Sequence, residues 1–106
     1  MRQAQMRRLE GRSGRDHLKW MKRCVLDGSR LADAAAVCRQ LGGAFGFPGD
    51  NPDALAEGLG AYRGEPVAVV WRHAAGSAER LGPRFAEIVA VLQRAAAEGV
   101  LTLELA

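Results

Sequence analysis

The chain has 106 residues, 48% of them hydrophobic and 25% charged, which suits one ordinary globular domain and excludes a collagenous or disordered chain as a whole. No apolar run approaches the ~20 residues needed to cross a bilayer, and no hydrophobic segment of a secretory signal follows the N-terminal arginines. The net charge of +3 averages two unlike parts: residues 1–23 hold eight Lys/Arg against Glu10 and Asp16, a net +6, while residues 24–106 hold ten acids against seven bases, a net −3.

Residues 1–20 show no apolar period and little aliphatic content, so they read as a disordered, basic, solvated arm. Two other readings of the basic stretch 1–23 exist: a nucleic-acid-binding tail, or an Arg-rich organelle transit peptide. Met21 opens MKRCVLDG and would be a natural first residue for the folded part, which is therefore taken as 21–106. Lys22 to Asp27 is a strand centred on Val25 and Leu26, and Asp27-Gly28 is the turn that ends it. From Leu31 to Leu41 the apolar residues Leu31, Ala34, Ala35, Cys38 and Leu41 follow a helical period, with Asp33 in the first turn and Gly42-Gly43 as the stop. The loop Phe45-Gly46-Phe47-Pro48-Gly49 offers its two phenylalanines either as a wedge for a partner or, more simply, as residues tucked back onto the core.

A second helix is signalled from Pro52 to Leu59. Asn51 is a favoured N-cap, Pro52 suits the first helical position, and Asp53 lies where the helix dipole favours a carboxylate. Leu55 and Leu59 share the apolar face. Asp53 and Glu57 lie four apart on another face, a like-charge spacing that costs a few tenths of a kcal/mol. Local stability therefore does not ask for Glu57, and an acidic pair facing solvent suits a basic partner. After the exit loop Tyr62-Arg63-Gly64, VAVVW (67–71) is an unbroken apolar run, expected to be a central strand covered on both faces. Trp71 is a packing residue. Ala74 to Leu81 is a short helix. Beyond Gly82-Pro83, Phe85, Ile88, Val89, Leu92 and Ala96 form a buried stripe, with Glu87, Val91, Arg94 and Glu98 on a different face. Gly99 stops that helix, and VLTLELA is the last strand, with Thr102 and Glu104 to one side. This order predicts an α/β fold: a small three-stranded parallel sheet with right-handed helical crossovers in a single domain.

Templates for catalysis fail. There is no GxSxG, P-loop or HExxH motif, and Ser29 and Ser77 have no base beside them in sequence. Asp53 and Glu57 sit on consecutive turns of one helix, so they would lie on one side of a substrate rather than flank a bond. His17 and His73 have no second ligand at metal spacing, so neither a metal nor a cofactor is expected. Cys24 and Cys38 form no CxxC and read as buried thiols in a reducing compartment, hence a cytoplasmic protein.

GFPGDNPDALAEGLGAY, then EPVAVVWR, then LQRAAAEGVLTLELA, in that order and spacing, resemble the barstar family of intracellular ribonuclease inhibitors, from about Cys24 to Ala106. The resemblance implies a barstar-like fold and a non-catalytic inhibitor, of antitoxin or immunity type, that plugs the active site of a basic ribonuclease or toxin-like enzyme with an acidic helix and adjoining loop. By position it implies partner contacts from Asp53, Glu57, Gly60, Tyr62 and Glu98, in a protein that is monomeric when free. Glu57 stands where the family has an aspartate, Tyr62 where it has a tryptophan. Other departures run against tight binding. The segment between Pro48 and Asn51 is shorter than in the family and lacks its aromatic pair. Ala56 replaces a tryptophan, Arg94 replaces an acid, and Gly60-Ala61 stand for Thr-Gly. The alternative is a barstar-fold protein that binds another partner, or nucleic acid through its basic arm.

Overall fold

The structure, a computed structural model, describes residues 22–106. The arm, with its expected disorder and His17, lies outside the described residues. Strand β1 (Lys22–Asp27) is followed by helices α1 (Ala34–Phe45) and α2 (Pro52–Ala61), strand β2 (Val67–Arg72), helices α3 (Ala74–Leu81) and α4 (Pro83–Ala97), and strand β3 (Leu101–Leu105). The sheet is parallel with order β1-β2-β3, so β2 is central as expected. Each crossover carries two helices, as a parallel connection requires room to return.

The register fixes the two faces of the sheet. Cys24 pairs with Val69 and Leu26 with Trp71, while Val67 and Val69 pair with Leu101 and Leu103. These residues point inward and join Val37, Cys38 and Leu41 of α1, Leu55 and Leu59 of α2, and Ile88 and Leu92 of α4 in one core. The opposite face carries Arg23, Val25, Arg72, Thr102 and Glu104, all exposed, with Val70 half-buried. The expectation that VAVVW is covered on both faces is therefore corrected. Only Ala68 is buried on the outer side, and it lies in register between Arg23 and Thr102. Among the described residues no layer covers it, and a small side chain between two longer neighbours loses exposure to them.

A second correction concerns the first helix. Gly42-Gly43 does not stop it; α1 runs on to Phe45 and ends at Gly46, whose φ of 87° is left-handed. Gly46 N–H and Phe47 N–H both donate to the Gly42 carbonyl, at 2.8 and 2.9 Å, so the chain reverses there. Gly42 serves contact rather than termination, since a Cβ on it would sit 2.6 Å from the Phe47 carbonyl oxygen. Asp33 is the N-cap of α1 rather than part of its first turn, its carboxylate accepting from Ala36 N–H at 2.8 Å.

Around Trp71 the far end of the sheet is locked. Its ring is fully buried, meets Phe85 edge-on at 5.0 Å, and its indole N–H donates to the buried Ser77 hydroxyl at 3.0 Å. Gly28 must be glycine here, because a Cβ would lie 2.7 Å from the carbonyl oxygens of Arg72 and His73 and would also meet Ser77 Oγ. His73 enters α3 in a left-handed conformation (φ 57°) and offers no side-chain cap. The Ala106 carbonyl accepts the Ala74 N–H at 3.1 Å and so satisfies a donor that the helix start leaves free. Both cysteines are buried and unpaired. Burial pushes the Cys38 thiol up to about 11, with Asp50 adding to the effect, and raises Cys24 against the pull of Lys22. Neither is a reactive thiolate at neutral pH.

Candidate functional site

The sequence signals for α2 are met atom by atom. Asn51 is the N-cap and its side-chain oxygen accepts from Ala54 N–H at 2.8 Å, Pro52 opens the helix, and Asp53 is the acid of the first turn. Leu55 and Leu59 are buried, which turns Asp53, Ala56, Glu57 and Gly60 to solvent. The helix runs past the expected Leu59 and ends at Ala61. The Arg63 guanidinium donates to the Gly60 and Tyr62 carbonyls, both at 3.0 Å, and so satisfies carbonyls at its C-terminal end.

Phe45 and Phe47 are not a free wedge. Phe45 is buried, Phe47 is packed against the core, and their ring centroids are 6.3 Å apart. Phe47 lies across Gly58: a Cβ there would come within 2.5 Å of its Cζ and meet two other ring carbons. That contact explains a glycine inside α2, where it costs about 1 kcal/mol relative to Ala. Tyr62 is half-buried, its ring edge-on to Phe45 at 5.0 Å, and its hydroxyl donates to the Glu65 carbonyl at 2.6 Å. It holds the exit loop against the core and presents only part of its ring outward.

Beside α2 runs α4, and two clefts open between them. One, of about 520 Å³, has Ala56, Leu59 and Gly60 on the α2 side and Val91, Arg94 and Glu98 on the α4 side. The other lies toward the start of α2, between Asp53 and the exposed ion pair of Arg84 with Glu87 (2.8 Å); Ala90 and Val91 line both. The structure thus brings Gly60 and Glu98 to one cleft and Asp53 to its neighbour, with Glu57 on the exposed face of the same helix. Tyr62 lines neither. Asp53, Glu57, Arg94 and Glu98 make no side-chain hydrogen bond or ion pair among the described residues. Sequence reasoning singled out Ala56 and Arg94 as departures but missed Ala90 and Ala95, because an alanine in an alanine-rich helix carries no signal of which groove it lines.

Chemically this is a surface of exposed charges on a packed helix pair. Among the described residues no group of three or more His, Cys, Asp or Glu could hold a metal ion, and no helix is long and apolar enough to cross a membrane. Gly60 differs from Gly58, for a Cβ on it would meet nothing within 4 Å. Gly60→Ala is expected to stabilise the protein by about 0.4–1 kcal/mol, because the unfolded chain loses freedom and nothing clashes. If a partner's backbone comes close at this point, the same substitution weakens binding. Thermal melts and binding measured on the one variant read both signs.

Among the described residues, a one-sided three-stranded parallel sheet with four helices, the second of which turns its acids outward, defines a small α/β fold. The family model described as Barstar (barnase inhibitor) matches residues 21–103, and the chain belongs to that family. No curated protein matches the chain.

Proposed function

We propose that this protein is an inhibitor, of immunity or antitoxin type, that masks the active site of a basic ribonuclease or related enzyme. Asp53, Glu57 and Glu98 supply the contact carboxylates, Gly60 a close approach, and Tyr62 the ordered exit loop beside them. One observation carries this reading. In a family of barnase inhibitors, α2 exposes two acids at a mutually repulsive spacing with no internal partner among the described residues, on the side opposite the leucines that hold it in the core. Such charges steer a cationic partner and raise its rate of association. Barnase and barstar, the pair after which the family is described, are themselves a standard example of this steering and of charged hot spots. The protein would work in the cytoplasm as a free monomer without a cofactor.

A second reading keeps the fold but places binding in the basic stretch 1–23, with nucleic acid as the partner; its eight bases favour it. Removing residues 1–20 separates the two. The shortened chain, beginning at Met21, is expected to melt within a few degrees of the full chain and to keep its protein partner. Loss of RNA or DNA binding, with no protein partner left to measure, would favour the second reading. A large fall in melting temperature would show that the arm packs on the domain.

A further inference from the structure

The order β1-β2-β3 leaves β1 and β3 each with one edge that no other described strand pairs. The two edges differ. At β1 the Val25 carbonyl already accepts from the Gln40 side-chain amide of α1, at 3.2 Å. At β3 no side chain among the described residues hydrogen-bonds to the strand backbone. Val67 N–H donates to the Val100 carbonyl at 3.3 Å and Ala106 N–H donates to the Trp71 carbonyl at 2.8 Å, so the even-numbered residues of β3 turn their backbone toward β2. Leu101, Leu103 and Leu105 therefore turn their N–H and C=O groups outward, as a template for one further strand. The side chains beside this edge are incompletely covered: Leu103 is half-buried and Leu105 is 44% exposed. A helix flank adjoins them. α1 lies against β1 and α2 bridges α1 and α4, so the side of α4 away from α2 is the β3 side. That side carries Phe85, Val89, Gln93 and Ala96, at steps of four, four and three. Its apolar residues are only half-buried and Gln93 is exposed. It bears no charge, because Arg84, Glu87 and Arg94, the charged residues of α4, all line the clefts toward α2. A solvent-facing helix side ordinarily carries charges.

We propose that this side of the molecule pairs with a second copy of the chain: two β3 strands run antiparallel about a two-fold axis at Leu103 and join the two sheets into one. The register decides the occupant. With Leu103 opposite its own copy, Leu101 faces Leu105 of the second copy and Thr102 faces Glu104. A hydroxyl then meets a carboxylate, and no like charges are opposed. The outward backbone groups of the three leucines fall in the positions that exchange hydrogen bonds in an antiparallel pair. The inner faces of the two sheets lie on the same side, so Leu105 is covered and the uncharged flanks of the two α4 helices meet. Gln40 opposes pairing of the same edge with β1 of a further copy, so assembly closes at two instead of growing. One strand pair and one helix flank belong to the small interfaces, under roughly 1,200 Å² in total, that hold weakly and reversibly. The chain is therefore a monomer when dilute and pairs as its concentration rises, and α2 stays open on both copies.

Analytical ultracentrifugation of the full chain from micromolar to millimolar concentration tests this. The mass is expected to rise from 11.4 kDa toward twice that value and to stop there. Thr102 is exposed, so substitutions at it are expected to leave the melting temperature of the dilute protein near that of the parent. Thr102→Glu opposes two carboxylates in the pair and is expected to keep the chain monomeric over the whole range. Thr102→Lys opposes an ammonium to Glu104 and is expected to tighten pairing by about threefold or more, with the gain lost at high salt. Gln93→Glu puts charge on the α4 flank and is expected to weaken pairing. A parent that stays at 11.4 kDa at millimolar concentration would overturn the proposal. So would pairing that is indifferent to both substitutions at Thr102, which would place the contact elsewhere, or a mass that climbs past two copies. No enzyme is present in these measurements, so their outcome is independent of whether the protein inhibits a ribonuclease.

Discussion

Glu57→Gln melts at the temperature of the parent or slightly above it, and binds the partner more weakly by about 2–5 kcal/mol, a loss of roughly thirtyfold or more. The stability half follows from the helix. Glu57 is exposed, has no internal partner among the described residues, and stands one turn from Asp53, whose charge it opposes. Removing its charge relieves a few tenths of a kcal/mol of repulsion. The binding half follows from desolvation. A carboxylate pressed against a basic pocket leaves the pocket's charge buried and unpaired once it is replaced by an amide of the same shape. Association also slows and becomes less sensitive to salt, since less negative field remains to steer the partner. A variant that melts several degrees lower while binding as before would make Glu57 structural and move the interface away from α2.

Trp71→Ala has the opposite profile. It is expected to cost about 3–5 kcal/mol of folding stability. The indole is fully buried, packs edge-on to Phe85 and donates to Ser77, itself 1% exposed. Truncation leaves a cavity between the sheet and α3–α4 and removes the donor from a buried hydroxyl, and each loss is costly by itself. At about 4–8 °C per kcal/mol for a domain of this size, the melting temperature falls by roughly 12–40 °C. Trp71→Phe keeps most of the packing and loses the hydrogen bond, so it is expected to fall between the parent and Trp71→Ala in thermal melts. Binding measured well below the melting temperature stays near that of the parent, because Trp71 lies on the inner face of β2, among core residues. A Trp71→Ala variant as stable as the parent would mean that the locked end of the sheet contributes little.

The stretches with local chemistry were the legible ones. Asn51-Pro52-Asp53 names its own N-cap and first turn, and the cap bond is where the sequence puts it. Lys22–Asp27 ends at an Asp-Gly turn, and the parallel order of the three strands follows from the helices between them. What the sequence hid depends on contacts between distant residues. Gly42 and Gly58 look like helix stops or weak points; both are glycine because Phe47 lies against them. The apolar run Val67–Trp71 does not say which face of β2 is covered, since Ala68 is buried on the outer face between its register neighbours Arg23 and Thr102. Tyr62 is a partner contact by the resemblance, and nothing in the sequence shows that its hydroxyl is tied to the Glu65 carbonyl. The cleft at Arg94 exists only once α2 and α4 lie side by side. Of the proposed contact residues, Asp53 and Glu57 could be placed from helical spacing, whereas the meeting of Gly60 and Glu98 required the fold.

The central claim is that the α2–α4 surface carries the binding and that its charges set the affinity. Its most direct measurement is inhibition of a secreted basic ribonuclease by the parent, Glu57→Gln and Arg94→Glu, at two salt concentrations. The parent is expected to inhibit weakly, because its loop is short, Ala56 offers little area, and Arg94 repels a cationic surface. Glu57→Gln is expected to inhibit less. Arg94→Glu, which turns that repulsion into attraction, is expected to inhibit about tenfold more strongly or better, with the gain shrinking at high salt. Inhibition that is the same for all three proteins would contradict the claim, as would nanomolar, stoichiometric inhibition by the parent that neither substitution alters.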